Sequence, residues 1–267
     1  NPSTWAFSEN PTLMARWYLT GGSVVNTGET SRLIKYGMGE SDSRIDDAYV
    51  IAAANICEEL LIGAEEDPYG GGMGTRRSLA GLEATTGQTH RKVLQDILDA
   101  MAGTMTYVQG KWRIYAGAYD SPLHSFTQED LYGDLEVSDT TDGDDRYNAV
   151  SAVFFDRFSG YAETTTLFRT DSSYETQDGG KRLTREIDLP AVTDQYVAQR
   201  LAEIQLRKSR MMRTIKITGA LNLMKVAVNE TFTLSHARYG WTNRVFRCLE
   251  KQFEFTEDAG RVVISAV

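Results

Sequence analysis

Cysteine is almost missing from this chain: 2 in 267 residues, Cys57 and Cys248. Each stands among apolar neighbours, Cys57 in a predicted helix and Cys248 in a predicted strand. That is the setting of a buried thiol, and it leaves no disulfide framework to hold the fold. Proline is scarce too, with 5, while aromatic residues make up 10% and hydrophobic residues 41%. This excludes a disordered chain and calls for a packed core, in one or two domains. No run of about 18 apolar residues occurs, so no membrane-spanning helix is predicted. No charged-then-apolar leader precedes the first helix, so no export signal is visible. The abrupt start at Asn1 fits a piece of a longer chain or a removed leader. Basic charge falls short, with Lys and Arg at 28 against Asp and Glu at 37, a net charge of −9. That balance disfavours broad attraction to duplex DNA, although a negative wall suits a conduit past which DNA moves without sticking.

Chemical motifs are equally thin. His90, His124 and His236 show no H-E-x-x-H or other metal spacing. His90 falls in the first turn of a helix, His124 in a loop and His236 in a polar turn after a strand. No G-x-S-x-G elbow and no Cys–His signature is present. Gly70-Gly71-Gly72-Met73-Gly74-Thr75 offers backbone N–H groups to a phosphate but lacks the ending of a P-loop, so it reads as a surface loop. Asp139, Asp142, Asp144 and Asp145 form an acidic cluster without calcium-loop spacing, which reads as a solvated turn. The adjacent pairs Asp46-Asp47, Glu58-Glu59 and Glu65-Glu66 are ordinary on surfaces, whereas glycoside hydrolysis needs two carboxylates at a defined gap in space.

What the chain does carry is scaffold. Asn10-Pro11 starts a helix on which Leu13, Met14, Trp17 and Tyr18 share a face, with Trp17 expected in a core and Gly21-Gly22 ending it. A second helix is expected over 43–60, with Ser43 and Asp46 as an approximate capping box. Its inward face would be Ile45, Tyr49, Ala52, Ala53 and Ile56. Thr89 caps a third helix with an apolar stripe of Val93, Leu94, Ile97, Leu98 and Met101, closed by Gly103. A hairpin follows directly, MTYV, Gln109-Gly110, KWRIYA, with Trp112, Ile114 and Ala116 alternating against Lys111, Arg113 and Tyr115.

Pro122 and the turn-rich segment 133–145 mark a division, giving an α/β part over 1–120 and a strand-rich part over 121–267. In the second part, Ala149–Phe155 is a strand expected to pair with Glu163–Arg169, and 171–181 is a polar loop. Thr193 caps a long helix over about 193–210, with Val197, Leu201 and Ile204 inward. Strands are expected at 213–221, 226–234, 244–256 and 261–266, the last two as a hairpin. Many strands with short turns and one helix suggest a small barrel or sandwich. The fold class is therefore α+β, a β-barrel-like domain with a smaller α/β domain.

Two surface features stand out. Arg200, Arg207, Lys208, Arg210 and Arg213 form a basic run at a helix C-terminus, where the macrodipole favours them; a DNA or acidic-subunit contact is the alternative. Tyr239 and Trp241 sit at a Tyr-Gly-Trp corner that either packs the barrel or meets a partner. Together with Trp112 and Tyr115 on the hairpin, they are the candidate partner-interface residues.

Read as words, several segments fall in a familiar order: NPTLMARWYL (10–19), IDDAYVIAAANICE (45–58), KVLQDILDAMAGTMTYVQGKWRIYAG (92–117), RYNAV (146–150), DLPAVTDQYVAQRL (188–201) and ARYGWTNRVF (237–246). Together they resemble the hub region of the tip attachment protein J family of lambda-like tailed phages, the central tail-fibre or host-specificity proteins. The resemblance implies a β-barrel hub with α/β insertions, similar to the baseplate hub of contractile tails and arranged as a homotrimer. It further implies a virion protein of the tail tip, made in the bacterial cytoplasm, that caps the tail tube. Its partners would be the distal tail protein ring, the tape-measure protein and the tail-fibre or tip segments, with a role in host attachment and opening for DNA ejection. DNA would pass through without specific binding. In such proteins receptor recognition belongs to segments further towards the C-terminus. The family brings no catalytic residues, no cofactor and no metal. A tail-associated cell-wall hydrolase and a carbohydrate- or receptor-binding module using Tyr239 and Trp241 are the alternative readings.

Overall fold

The computed structural model describes residues 8–25, 33–60, 76–85, 87–132, 135–138, 146–211, 213–255 and 260–267. The chain opens with α1 (Pro11–Thr20), β1 (Gly22–Val25), β2 (Leu33–Tyr36), α2 (Asp47–Glu58) and α3 (His90–Asp99), then the hairpin β3 (Thr104–Val108) and β4 (Lys111–Tyr115). Short strands β5 (His124–Thr127) and β6 (Glu136–Ser138) lead to β7 (Ala149–Asp156), β8 (Ala162–Thr165), β9 (Arg169–Thr170), α4 (Ser172–Gln177) and β10 (Thr184–Asp188). The last elements are α5 (Gln195–Lys208), β11 (Thr214–Gly219), β12 (Thr231–His236), β13 (Trp241–Phe255) and β14 (Gly260–Ala266). The fold is mixed α+β.

These elements sort into two units that interleave in sequence. One comprises Asn1–Gly117 and Tyr147–Leu206, the other Ala118–Arg146 and Arg207–Val267. This differs from the continuous parts 1–120 and 121–267 read from the sequence, because residues 147–206 gather with the N-terminal helices.

The first unit holds two clusters of buried side chains. In one, α3 presents Val93, Leu94, Ile97 and Leu98, joined by Met101 from the turn that follows, to Ala15 and Leu19 of α1 and to Val50, Ala53 and Cys57 of α2. Each large side chain of that stripe contributes roughly 1.5–3 kcal/mol by leaving water. Asn10 caps α1 by accepting from the Thr12 N–H at 3.0 Å, and Thr89 caps α3 by accepting from the Lys92 N–H at 3.3 Å, as the sequence predicts. Trp17 departs from expectation. It is 52% exposed and stacks on Tyr36, with ring centroids 4.1 Å apart, so its apolar area is covered by one neighbouring ring instead of a core.

α2 also departs. Residues 42–44 form a separate 3-10 turn, and α2 starts only at Asp47 with Asp46 ahead of it making no cap hydrogen bond. The Asp46 carboxylate instead accepts from Arg113 Nε at 3.0 Å. The buried face is Val50, Ala53 and Cys57, while Ala52 is exposed, a rotation of the inward stripe away from the expected one. At the end of α3, the left-handed residue is Ala102, φ +49°. Gly103 serves closeness instead: a Cβ there would lie 2.5 Å from the Tyr115 carbonyl oxygen.

In the other cluster of this unit, β7 is the central strand. It runs parallel to β10 and antiparallel to β8 and β9. Covered on both sides, it buries Ala149, Val150, Ser151, Ala152 and Phe154, which explains its near-continuous apolar run. α5 packs Val197, Ala198, Leu201, Ala202 and Leu206 into the same cluster. Its cap is Asp194, whose Oδ1 accepts from the Tyr196 N–H at 2.9 Å, and not the expected Thr193. Asn148 is fully buried ahead of β7. Its Nδ2 donates to Asp178 Oδ2 and to the Lys181 carbonyl, both at 2.8 Å, and its Oδ1 accepts from the Leu183 N–H at 2.8 Å. One amide thereby pins the returning loop, which contains the short helix α4 where a polar loop is expected.

The second unit is one six-stranded sheet in the order β5-β12-β13-β14-β11-β6. Its neighbours are antiparallel except β5 against β12. Phe126, Ile215, Ile217, Phe232, Leu234, Phe246, Val262 and Ile264 form its core with Leu223 from a 3-10 turn at Leu221–Lys225. That turn takes Leu221, the last residue of the strand expected at 213–221, and the strand expected at 226–234 begins only at Thr231. β5 and β6 end the sheet as separate edges, so among the described residues no sheet closes into a barrel. A bulge between Cys248 and Glu250 divides β13. Before it the strand pairs with β12 up to Arg247, and after it with β14 alone among the described strands.

Candidate functional site

The Tyr-Gly-Trp corner joins β12 to β13 through a 3-10 turn at Ala237–Tyr239. The Tyr239 ring stacks on Trp241 at 4.9 Å with 25° between planes. The Tyr239 hydroxyl donates to the Leu135 carbonyl at 3.3 Å. Trp241 is only 8% exposed and packs on Phe246 at 5.2 Å. The Arg213 and Arg244 guanidiniums lie over its ring at 5.7 and 5.4 Å. The corner is therefore mainly a packing device: Trp241 belongs to the core, and Tyr239 covers it from the half-buried side. His236 is buried beside Tyr239, ring centroids 5.1 Å apart, and is the last residue of β12 rather than part of a polar turn.

On the first unit, Trp112 is half-buried and packs against Tyr107 across the hairpin at 4.8 Å. It helps line a cavity of about 390 Å³ with Met38, His90, Leu94, Leu98 and Met105. Its indole Nε1 is buried and has no hydrogen-bond partner among the described residues. His90, in the first turn of α3 as expected, shares a 2.9 Å hydrogen bond with the Tyr18 hydroxyl. Tyr115 faces the other way and is buried, edge-on to Tyr49 at 5.2 Å. The Arg113 guanidinium lies 4.5 Å above the Tyr49 ring. Burial pushes the Tyr115 phenol above its ordinary range. Of the four aromatic residues read as an interface, Trp241 and Tyr115 are thus interior, and Trp112 and Tyr239 reach the surface in part. The structure does not bring the four together into one site within either unit.

The basic run divides as well. Arg200 lies inside the first unit, where burial and the neighbouring Arg77 pull its guanidinium down to about 10. It donates to Ser78 Oγ at 3.4 Å, while Arg77 pairs with Glu59 at 2.6 Å. Arg210 and Arg213 belong to the second unit and, with Arg244, Met211, Val245 and Phe246, line a groove of about 570 Å³. Arg244 lies 31 residues beyond the nearest residue of the run and carries no local signal, so the sequence reading missed it.

The carboxylate pairs are engaged singly with arginines: Asp46 with Arg113, Asp47 with Arg16, Glu58 with Arg76 and Glu59 with Arg77. No group of three or more His, Cys, Asp or Glu side chains is gathered as for a metal among the described residues. Both cysteines are buried thiols; burial pushes Cys57 up and Cys248 up to about 11. His124 opens β5 instead of lying in a loop. The glycine-rich segment at Gly70–Thr75, the pair Glu65-Glu66 and the acidic cluster Asp139, Asp142, Asp144 and Asp145 lie outside the described residues.

A family model described as "Putative phage tail protein" matches residues 89–248, more than half of the chain. The chain belongs to this phage tail protein family. Baseplate hub protein pb3 of Escherichia phage T5 is 28% identical to this tail protein over 173 residues, which is 65% of this chain and 18% of the T5 protein. A chain of the virion of the native gene transfer agent particle has a TM-score of 0.53 at 15% identity, covering 69% of this chain and 40% of its own. The 43 kDa tail protein of prophage MuSo2 from Shewanella oneidensis has a TM-score of 0.51 at 14% identity, covering 73% and 58%. The tail protein from Neisseria meningitidis MC58 reaches 0.50 at 14%, covering 71% and 59%. At these identities the likeness is one of fold. The tail protein spans under a fifth of the T5 relative. Family and relatives identify a phage tail protein, a broader class than the tip attachment proteins its wording resembles.

Proposed function

We propose that this tail protein is a structural part of the hub at the distal end of the tail, capping the tube and joining it to the tip or fibre. The observation that carries the reading is the similarity to the T5 baseplate hub protein across 65% of this chain. The site geometry agrees with a protein that works through surfaces. Its carboxylate pairs are tied to arginines, and its aromatic corner is packed inward with Trp241 covered, which disfavours a sugar-stacking platform.

In this reading, copies of the chain ring an axial channel as a trimer and meet the distal tail ring, the tube and the tape-measure protein. They take part in host attachment and open for DNA ejection. The net charge of −9 suits a channel wall that repels passing DNA. The test is reconstruction of the parent particle by electron microscopy at a resolution that traces the chain. Density for the six-stranded sheet at the distal tip is expected; density along the tube or at the head overturns the reading.

A further inference from the structure

The two ends of β13 carry unlike surfaces, and neither is covered by the described residues of the second unit. Beyond the bulge, Phe253 and Phe255 are paired in register with Val262 and Gly260, and so point to the same side as the core. The core has ended there. Phe253 is 45% and Phe255 79% exposed, beside Leu221 at 51% and Met224 at 48%. These four make one patch. A Cβ on Gly260 would sit 3.4 Å from both Leu221 and Phe255, and Lys251 donates to the Met224 carbonyl at 3.2 Å while lying 5.6 Å over the Phe253 ring. The opposite side of the strand carries Glu250 and Glu254, with Arg261 across from Glu254. A two-stranded ribbon with exposed aromatic rings, and an edge that no described strand pairs with, is an unfavourable end state, and association covers it.

At the other end of the strand lies the groove of about 570 Å³, with Arg244 and the exposed Met211 and Val245 at its rim. Arg213 is engaged on the Trp241 ring. The Arg244 guanidinium lies over the rings of Trp241 and Phe246, and no carboxylate pairs with it among the described residues. Arginine beside aliphatic surface is suited to an aromatic and acidic visitor.

We infer that the β13–β14 hairpin of one copy docks into the Arg244 groove of the next copy, placing Phe253 and Phe255 on the groove floor and leaving Glu254, on the other side of the strand, to meet Arg244 at the rim. This rests on the reading that the chain assembles with copies of itself, and names the surfaces. Because donor and acceptor lie at opposite ends of one 15-residue strand, the contact is head-to-tail, the kind that closes into rings of any order, including three.

The test is sedimentation of the full chain over a concentration series, with Arg244→Glu, Glu254→Arg, their double variant and Phe255→Ser, each checked for unchanged circular dichroism. Wild type is expected to associate. Each single variant is expected to weaken association about ten-fold or more, and the double charge swap to restore most of it. Should Arg244→Glu disturb the corner, the two hairpin variants decide alone. Singles that associate like wild type, a double no better than its parents, or a wild type that stays monomeric at the highest concentrations would each overturn the inference. None of these outcomes touches the location of the protein in the particle, which the reconstruction decides separately.

Discussion

Arg113, on the second strand of the β3–β4 hairpin, donates to Asp46 at 3.0 Å while lying 4.5 Å above the ring of Tyr49. Both charged groups are mostly shielded from solvent. One side chain thereby fixes the entry of α2 and covers Tyr49, which packs edge-on against the buried Tyr115.

Arg113→Ala is expected to destabilise the protein by about 1–3 kcal/mol, because Asp46 stays largely buried without its partner. Arg113→Lys should recover less than half, since an ammonium cannot stack on Tyr49 and reach Asp46 with the same geometry. Urea unfolding of both variants checks this; equal midpoints for alanine and wild type would show the pair to be a weak surface contact.

Asn148→Ala removes three hydrogen bonds at once and leaves the Leu183 N–H and the Lys181 carbonyl without their side-chain partner. A loss of about 2–4 kcal/mol is expected, with faster amide exchange at Leu183 ahead of any change in the β11–β14 sheet. Asn148→Asp should be worse at neutral pH, because a carboxylate would face Asp178 and a carbonyl with no proton to donate.

Two glycines of the same segment should respond in opposite order to their backbone angles. Gly110 has φ +81° but open space around it, so Gly110→Ala is expected to cost about 1 kcal/mol. Gly103 shows no left-handed angle, yet a Cβ there would stand 2.5 Å from the Tyr115 oxygen and 2.9 Å from Met101 Cγ. Gly103→Ala must therefore move backbone, at a cost of about 2–3 kcal/mol. Thermal unfolding of the pair decides it, and a milder effect at Gly103 would refute the close approach.

Burial holds the Cys248 thiol at about 11 against an ordinary 9.0. As pH rises through 9, the unfolded chain releases this proton first, so the folded state loses stability progressively up to about 11. Cys248→Ala should flatten that alkaline decline relative to wild type. Taking the difference cancels Arg200, whose folded value of about 10 lies below its unfolded one and so works in the opposite direction over part of the same range. Denaturant midpoints at a series of alkaline pH values give the answer; parallel curves would exclude a role for this thiol.

What could be read from the sequence was local. Thr89 three residues before Lys92, the stripe of α3 and the Gln109-Gly110 turn are complete within a few residues, and all three stand as expected. Where a distant residue intervenes, local signals mislead. The capping box at Ser43 and Asp46 looks sound until Arg113, 67 positions away, takes the carboxylate. Thr193 and Asp194 are both competent caps; Asp194 takes the role while also pairing with Arg157 at 3.1 Å. Trp17 has the composition of a core residue and finds a stacking partner instead. Closure of a barrel depends on whether β5 meets β6, a relation between edges that no window of sequence contains. The candidate interface suffered similarly: aromatic character marked Tyr239 and Trp241, but the sequence does not say which side of a corner faces water.

The interleaving of the two units sets an order on biosynthesis. When residue 117 leaves the ribosome, Ala80 still lacks its bridging partner Val192, and β7 has yet to be made. β5 then emerges and must wait for β12, its parallel neighbour, until all of 147–206 has been translated. Neither unit can reach its final form from an uninterrupted stretch of nascent chain. The tail protein should therefore depend on chaperones during synthesis more than two tandem domains of the same size would.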